Sequence, residues 1–340
     1  MMERREFIID VVKISALLGL DHLGLDFGDP IFGHNQKRFI WDKAWAKLGD
    51  STLFIKDCHE MVFTPTKDIL LLTNDTRNNL ILFDKKGKIK NTEAGIFPGG
   101  HGLTMAGEGS DAILFVTDTE LHQFYMTTMA GKVIKTWDCP LDTGKYTRND
   151  QFVPTETAIT KDGEIYVADG YGAQFITHYG ADGHIKNIFG GRGAEDHHLD
   201  NAHGICIDHR DAEPTLVITD RTRCCFKIFT MGGEYLRKIE LPGARVCRPV
   251  IMGEYLYAAV LNTNGADNTG FVVVLDRNYK LISVIGGSEP VYDGDKARAS
   301  YQTVKLFKHP HDVLVDDDGA LYVCQWNSDH VLPYKFTPHV

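Results

Sequence analysis

Three short segments of the 340-residue chain place a histidine in similar company: Gly99-Gly100-His101-Gly102-Leu103, Asn201-Ala202-His203-Gly204-Ile205 and His309-Pro310-His311-Asp312-Val313. Each stands a set distance ahead of an apolar run. His101 precedes Asp118 by 17 residues, His203 precedes Asp220 by 17, and His311 precedes Gln325 by 14. The shortfall of three fits a shorter intervening turn, so the three histidines are read as structurally equivalent. Three imidazoles meeting at one point, with a fourth position open, form the ligand set of a catalytic zinc site. Such an ion acts as a Lewis acid or activates a bound water or hydroxyl. Without a metal, the same rings would bond to one another across a channel.

Further residues could work beside such an ion. Tyr171, in Ala168-Asp169-Gly170-Tyr171-Gly172, is a candidate base, because a neighbouring metal lowers a phenol's pKa. Arg221, in Thr219-Asp220-Arg221-Thr222, offers a fork for a carboxylate. His59 precedes Asp75 by 16 and is a candidate further ligand, support for a ligand, or substrate contact. His309 lies two residues before His311 and would share its face on a regular strand. Asp312 is a candidate ligand for a hard cation such as calcium, together with backbone carbonyls. Glu156 is a candidate channel residue with no evident partner. Asp118, Asp169 and Asp220 are read as structural, accepting backbone N–H groups in turns.

The elements that must position these side chains repeat. An apolar strand ending in Asp or Asn recurs as Ile69–Asp75, Ile113–Asp118, Glu164–Asp169 and Thr215–Asp220, with looser copies at Tyr255–Val260 and Ala320–Gln325. Glycine-containing turns such as Asp84-Lys85-Lys86-Gly87 and Ala181-Asp182-Gly183 follow, as hairpins require. Six copies of a three- to four-stranded unit, at a period of about 40–50 residues, predict an all-β fold, a six-bladed β-propeller. A solenoid is the weaker alternative, because nothing reads as an end cap. The innermost strands carry His101, His203 and His311 in blades two, four and six, roughly 120° apart around the ring, while Thr155 takes that place in blade three. Residues 28–340 form the propeller and residues 1–27 a leader or N-terminal helix. Helix is expected only over Arg5–Leu18 and Trp41–Lys47.

The net charge of −10 argues against nucleic acid as a partner, since duplex binding needs a basic face. No apolar run approaches the roughly 20 residues of a membrane span. Arg4-Arg5 ahead of the mostly apolar stretch Phe7 to Leu20 resembles a Tat export leader, giving a periplasmic location; Asp10 and Lys13 inside it favour the cytoplasmic alternative, an amphipathic helix. Seven cysteines without a CxxC pair provide neither a disulfide framework nor a thiolate metal site. A monomer is expected.

In order and register, these segments resemble NHL-type propellers, and most specifically the catalytic core of the peptidylglycine alpha-amidating lyases (peptidyl-alpha-hydroxyglycine lyases). The resemblance spans roughly residues 95–340. His101-Gly102-Leu103 with Val116-Thr117-Asp118 and Leu121-His122-Gln123 matches the second blade. Pro154-Thr155-Glu156 with Ala168-Asp169-Gly170-Tyr171 matches the third, Ala202-His203 with Asp220-Arg221 the fourth, and Pro310-His311-Asp312 the last. It implies zinc on His101, His203 and His311, and a structural calcium ion on Asp312 near the Leu103 carbonyl. Tyr171 falls on the catalytic tyrosine and Arg221 on an active-site arginine. The implied reaction splits a carbinolamide C–N bond to a primary amide and glyoxylate, so the expected partner is a small or peptide-derived substrate with an acidic group. The chain departs from the family in three ways. His309 replaces a methionine. A second arginine has no clean match, His34-Asn35-Gln36-Lys37-Arg38 being the nearest region. The family's disulfide cysteines are not reproduced. The alternatives are a metal-dependent lactonase, for which Glu156 is the one nearby acidic ligand, and a non-enzymatic interaction platform.

Overall fold

A computed structural model describes residues 29–46 and 53–339. Over these residues the chain is almost entirely strand, and helix is confined to the single 3-10 turns Gly109–Asp111, Leu141–Thr143 and Asn149–Gln151. Each repeated apolar run is the second strand of a sheet: Ile69–Thr73, Ile113–Asp118, Ile165–Ala168, Thr215–Asp220, Tyr255–Thr263 and Leu321–Gln325. Both faces of these strands are covered, so they read as continuous apolar runs rather than alternating ones.

Six antiparallel sheets follow in chain order and pack face to face as propeller blades. Their interfaces mix side chains from neighbouring sheets. Leu70, Leu72 and Leu80 of blade one meet Leu103, Leu114 and Val116 of blade two. Each such side chain contributes about 1.5–3 kcal/mol when fully buried.

The ring closes with strands from both ends of the chain. Blade six runs, from outside to inside, Ile31–His34, Lys37–Asp42, Tyr334–Pro338, Leu321–Gln325 and Pro310–Val315. Trp41 lies opposite Phe336 in this sheet, and its ring packs on Tyr334 with centroids 4.8 Å apart. This corrects the expected helix at Trp41–Lys47: strand runs to Asp42 and turn to 46. Pairing with the C-terminal strand overrides the local pattern. The leader assigned to residues 1–27 lies outside the described residues. No described helix is long and apolar enough to cross a membrane.

The repeated aspartates tie this scaffold to the channel. Asp118 accepts the N–H groups of Gly99, Glu120 and Leu121, while Asp169 accepts those of Val153 and Ala173. Asp220 accepts that of Asp200. Gly99, Val153 and Asp200 lie just ahead of His101, Thr155 and His203. Each aspartate therefore anchors the backbone that leads into an inner strand.

Candidate metal centre

Each blade contributes one residue to an upper ring in the channel and the next residue to a ring beneath it. The upper ring is His59, His101, Thr155, His203, Cys247 and His311; the lower is Glu60, Gly102, Glu156, Gly204, Arg248 and Asp312. The carbonyls of Thr155, Cys247 and His59 show the equivalence. Each accepts a hydrogen bond from the second strand of the preceding blade: from Thr117 Oγ1 at 3.0 Å, Thr219 Oγ1 at 2.6 Å and Cys324 Sγ at 2.9 Å. In blades one, two and six the ladder slips at the histidine, between Cys58 and Glu60, Gly100 and Leu103, and Pro310 and Asp312. Such bulges re-aim a side chain, here into the channel. Gly102 and Gly204 are required by close approach. A Cβ on Gly102 would sit 2.6 Å from the Thr155 carbonyl, and one on Gly204 2.5 Å from Arg248 Cα.

The structure brings together His101, His203 and His311. Their ring centroids are 4.7, 4.7 and 4.8 Å apart, and His203 Nε2 lies 3.1 Å from Nε2 of both other rings. His101 Nδ1 is 2.9 Å from the Thr155 carbonyl and His311 Nδ1 is 3.1 Å from the His59 carbonyl. A carbonyl only accepts, so both Nδ1 atoms carry hydrogen, and the Nε2 atoms of the neutral rings are bare lone pairs. His203 Nε2 therefore faces two acceptors and can donate to one at most. A cation satisfies all three nitrogens. The spacing also suits one, since Zn–N bonds of about 2.0–2.1 Å in a tetrahedron put neighbouring nitrogens about 3.3–3.4 Å apart. Burial holds all three imidazoles well below the ordinary histidine pKa, helped by neighbouring rings and by Arg221, so they stand ready as neutral ligands.

His59 joins the cluster more closely than its count of 16 indicated. It holds the same bulge position as His101 and His311, with ring centroids 5.1 and 4.9 Å from theirs. Ligand atoms of His59, His101 and His311 lie within 4.8 Å of one another. The residue is 6% exposed, neither ring nitrogen has a hydrogen-bond partner among the described residues, and burial lowers its pKa to about 3.

Tyr171 and Arg221 complete one side. Tyr171 Oη is 3.1 Å from His101 Nε2 and accepts a hydrogen bond from Arg221 Nη1 at 3.3 Å. Arg221 is 5% exposed, also donates to the Val246 carbonyl and Cys247 Sγ, and pairs with no described carboxylate. Asp220 is instead engaged by Arg223 and Lys227. A buried guanidinium without a counter-ion is costly unless a ligand supplies one. Burial raises the Tyr171 pKa and the charge on Arg221 works against it, so the protein alone does not give the lowered phenol pKa expected beside a metal.

The structure does not gather every candidate. His309 contacts the Asn327 carbonyl, the Asn268 N–H and Asp267, all outside the cluster. The bulge between Pro310 and Asp312 breaks the alternation that would have set it beside His311. Arg38 is exposed on an outer strand of blade six, so its region supplies no second arginine to the cluster. Asp312, Glu156 and the Leu103 carbonyl lie in or beside the lower ring. There Arg248, a residue sequence reasoning missed, contacts all three. All seven cysteines are free.

No family model matches the chain. A probable peptidyl-alpha-hydroxyglycine alpha-amidating lyase of Caenorhabditis elegans is 24% identical over 281 residues, covering 80% of this chain and 73% of that protein. Virginiamycin B lyase from Staphylococcus aureus superposes with a TM-score of 0.53 at 15% identity, over 92% of this chain and 97% of that one. A gluconolactonase from Xanthomonas campestris gives 0.55 at 12% identity, over 91% and 97%. At those identities the solved structures speak to fold alone. Fold and relative together make this chain a six-bladed β-propeller that resembles the peptidyl-alpha-hydroxyglycine amidating lyases.

Proposed function

We propose that the protein is a zinc-dependent lyase that cleaves a carbinolamide-type C–N bond, with His101, His203 and His311 as metal ligands. One observation carries the reading: three imidazole nitrogens converge beside a buried guanidinium that has no carboxylate partner among the described residues. Zinc bound there supplies Lewis acidity to a substrate hydroxyl. Arg221 holds the substrate's acidic group through its fork, and this sets the hydroxyl-bearing carbon against the histidines. Tyr171 Oη, which acts as the phenolate once a bound cation's charge has lowered its pKa, takes the hydroxyl proton as the C–O bond becomes a carbonyl and the C–N bond breaks, and passes it to the departing nitrogen. The departing nitrogen gains one proton, so the balance closes on a primary amide and an α-keto acid or aldehyde acid. Metal-loaded protein should release glyoxylate from an α-hydroxyglycine-terminated peptide and stop doing so after chelation. Absence of glyoxylate from fully loaded protein would overturn the substrate class.

A second reading is favoured by the unpartnered nitrogens of His59, which make a centre of four imidazoles instead of three. Cobalt substitution separates the two, because visible bands respond to ligand number. On the four-imidazole reading His59→Ala changes the spectrum of the cobalt protein. An unchanged spectrum leaves the three-histidine centre.

A further inference from the structure

The groups that the resemblance assigns to calcium are held by a side chain. Arg248 binds Asp312 in a two-pronged fork, Nε to Oδ1 at 3.0 Å and Nη2 to Oδ2 at 2.9 Å. Its Nη1 donates to the Leu103 carbonyl at 3.2 Å and its Nη2 to the Met61 carbonyl at 3.1 Å. Carboxylate oxygens of Glu60 and Glu156 stand 3.5 and 3.8 Å away. One cation reaching from blade five thus gathers carbonyls and carboxylates from blades one, two, three and six.

The sequence explains how it gets there. The inner strand of blade five is interrupted between Ala244–Val246 and Val250–Met252, and Arg248 stands in the gap, where its side chain enters the channel. Gly204 makes room for its backbone. Calcium needs six to eight oxygens at about 2.3–2.6 Å, and those present are already drawn onto a planar guanidinium. A dication among them would also sit within a few ångströms of a fixed positive charge. Three carboxylates surround one arginine, yet burial, abetted by Glu156 and Asp312 and opposed by Arg248, pushes the Glu60 carboxyl well above its ordinary range.

We infer that Arg248 is a tethered replacement for a structural cation, and that this propeller holds its channel together without calcium. The inference stands apart from the zinc reading, since it concerns the lower ring. Melting curves and terbium luminescence test it on the full-length protein. With zinc kept saturating, wild type should melt at one temperature with and without millimolar CaCl2, and should bind no terbium in the channel. Arg248→Ala should melt about 5–10 °C lower, having lost a buried ion pair. It should recover stability in CaCl2 and gain a terbium site. If the variant does not fold, the wild-type measurements decide. A rise in wild-type melting temperature with CaCl2, a stoichiometric terbium site in wild type, or a folded variant indifferent to CaCl2 would each overturn it.

Discussion

His203→Ala should strip the protein of its metal and leave the propeller folded. Protein zinc sites bind with about 10–16 kcal/mol at neutral pH, so an equal share for each of three ligands is about 3–5 kcal/mol, or about 10²–10⁴-fold in affinity. His203 is the ligand to remove because it touches both partners, at 3.1 Å each, whereas His101 and His311 are also tethered to carbonyls. The described ring contacts of His203 are the channel residues His101, His311 and Tyr171 rather than the apolar side chains between sheets, so the substitution leaves the interblade packing in place. Metal analysis after dialysis against a weak chelator reads the effect, expected to fall from about one zinc per chain to a small fraction. Circular dichroism checks the fold. Full zinc retention would mean that His203 is not a required ligand and that the zinc is held by other residues, His59 with His101 and His311 foremost.

Some of the signals that build this site survive in a linear sequence and others do not. Second strands were legible because they are buried on both faces and end in an aspartate with a fixed task, as at Asp118 and Asp220. His101, His203 and His311 were legible by counting back from those ends. For His59 the count of 16 gives a place close to the same register but not its role, and the bulge between Cys58 and Glu60 sets the residue in the ring itself. A bulge also defeated the placement of His309, where alternation was assumed through a strand that slips. Arg248 left no local trace, because blade five carries neither histidine nor terminal aspartate and the partner carboxylate, Asp312, is 64 residues away. Ring closure by residues 31–42 was equally hidden, since these strands copy no repeat and acquire their identity from pairing with Tyr334–Pro338.

Tyr171→Phe should lower turnover of an α-hydroxyglycine substrate by about 10²–10⁴-fold, the range for losing a positioned proton-transfer group, with zinc content unchanged. The substitution removes one oxygen from a ring that keeps 40% of its surface exposed, so packing gives no reason for a large effect. The hydroxyl's described partners are His101 Nε2 and Arg221 Nη1. Because that Nε2 is a bare lone pair, the phenol donates to it in the protein without metal; with the nitrogen engaged by a metal, the hydroxyl would be free to meet a substrate whose acid pairs with Arg221. Arg221→Gln should therefore act differently, raising KM for substrates that carry the carboxylate while costing less in kcat, as loss of binding shared by ground and transition states does. The split between the two variants separates proton transfer from anchoring. If Tyr171→Phe stays within about threefold of wild type, the hydroxyl serves only to steady Arg221, and the base of the reaction must be sought among the remaining channel groups, His59 first.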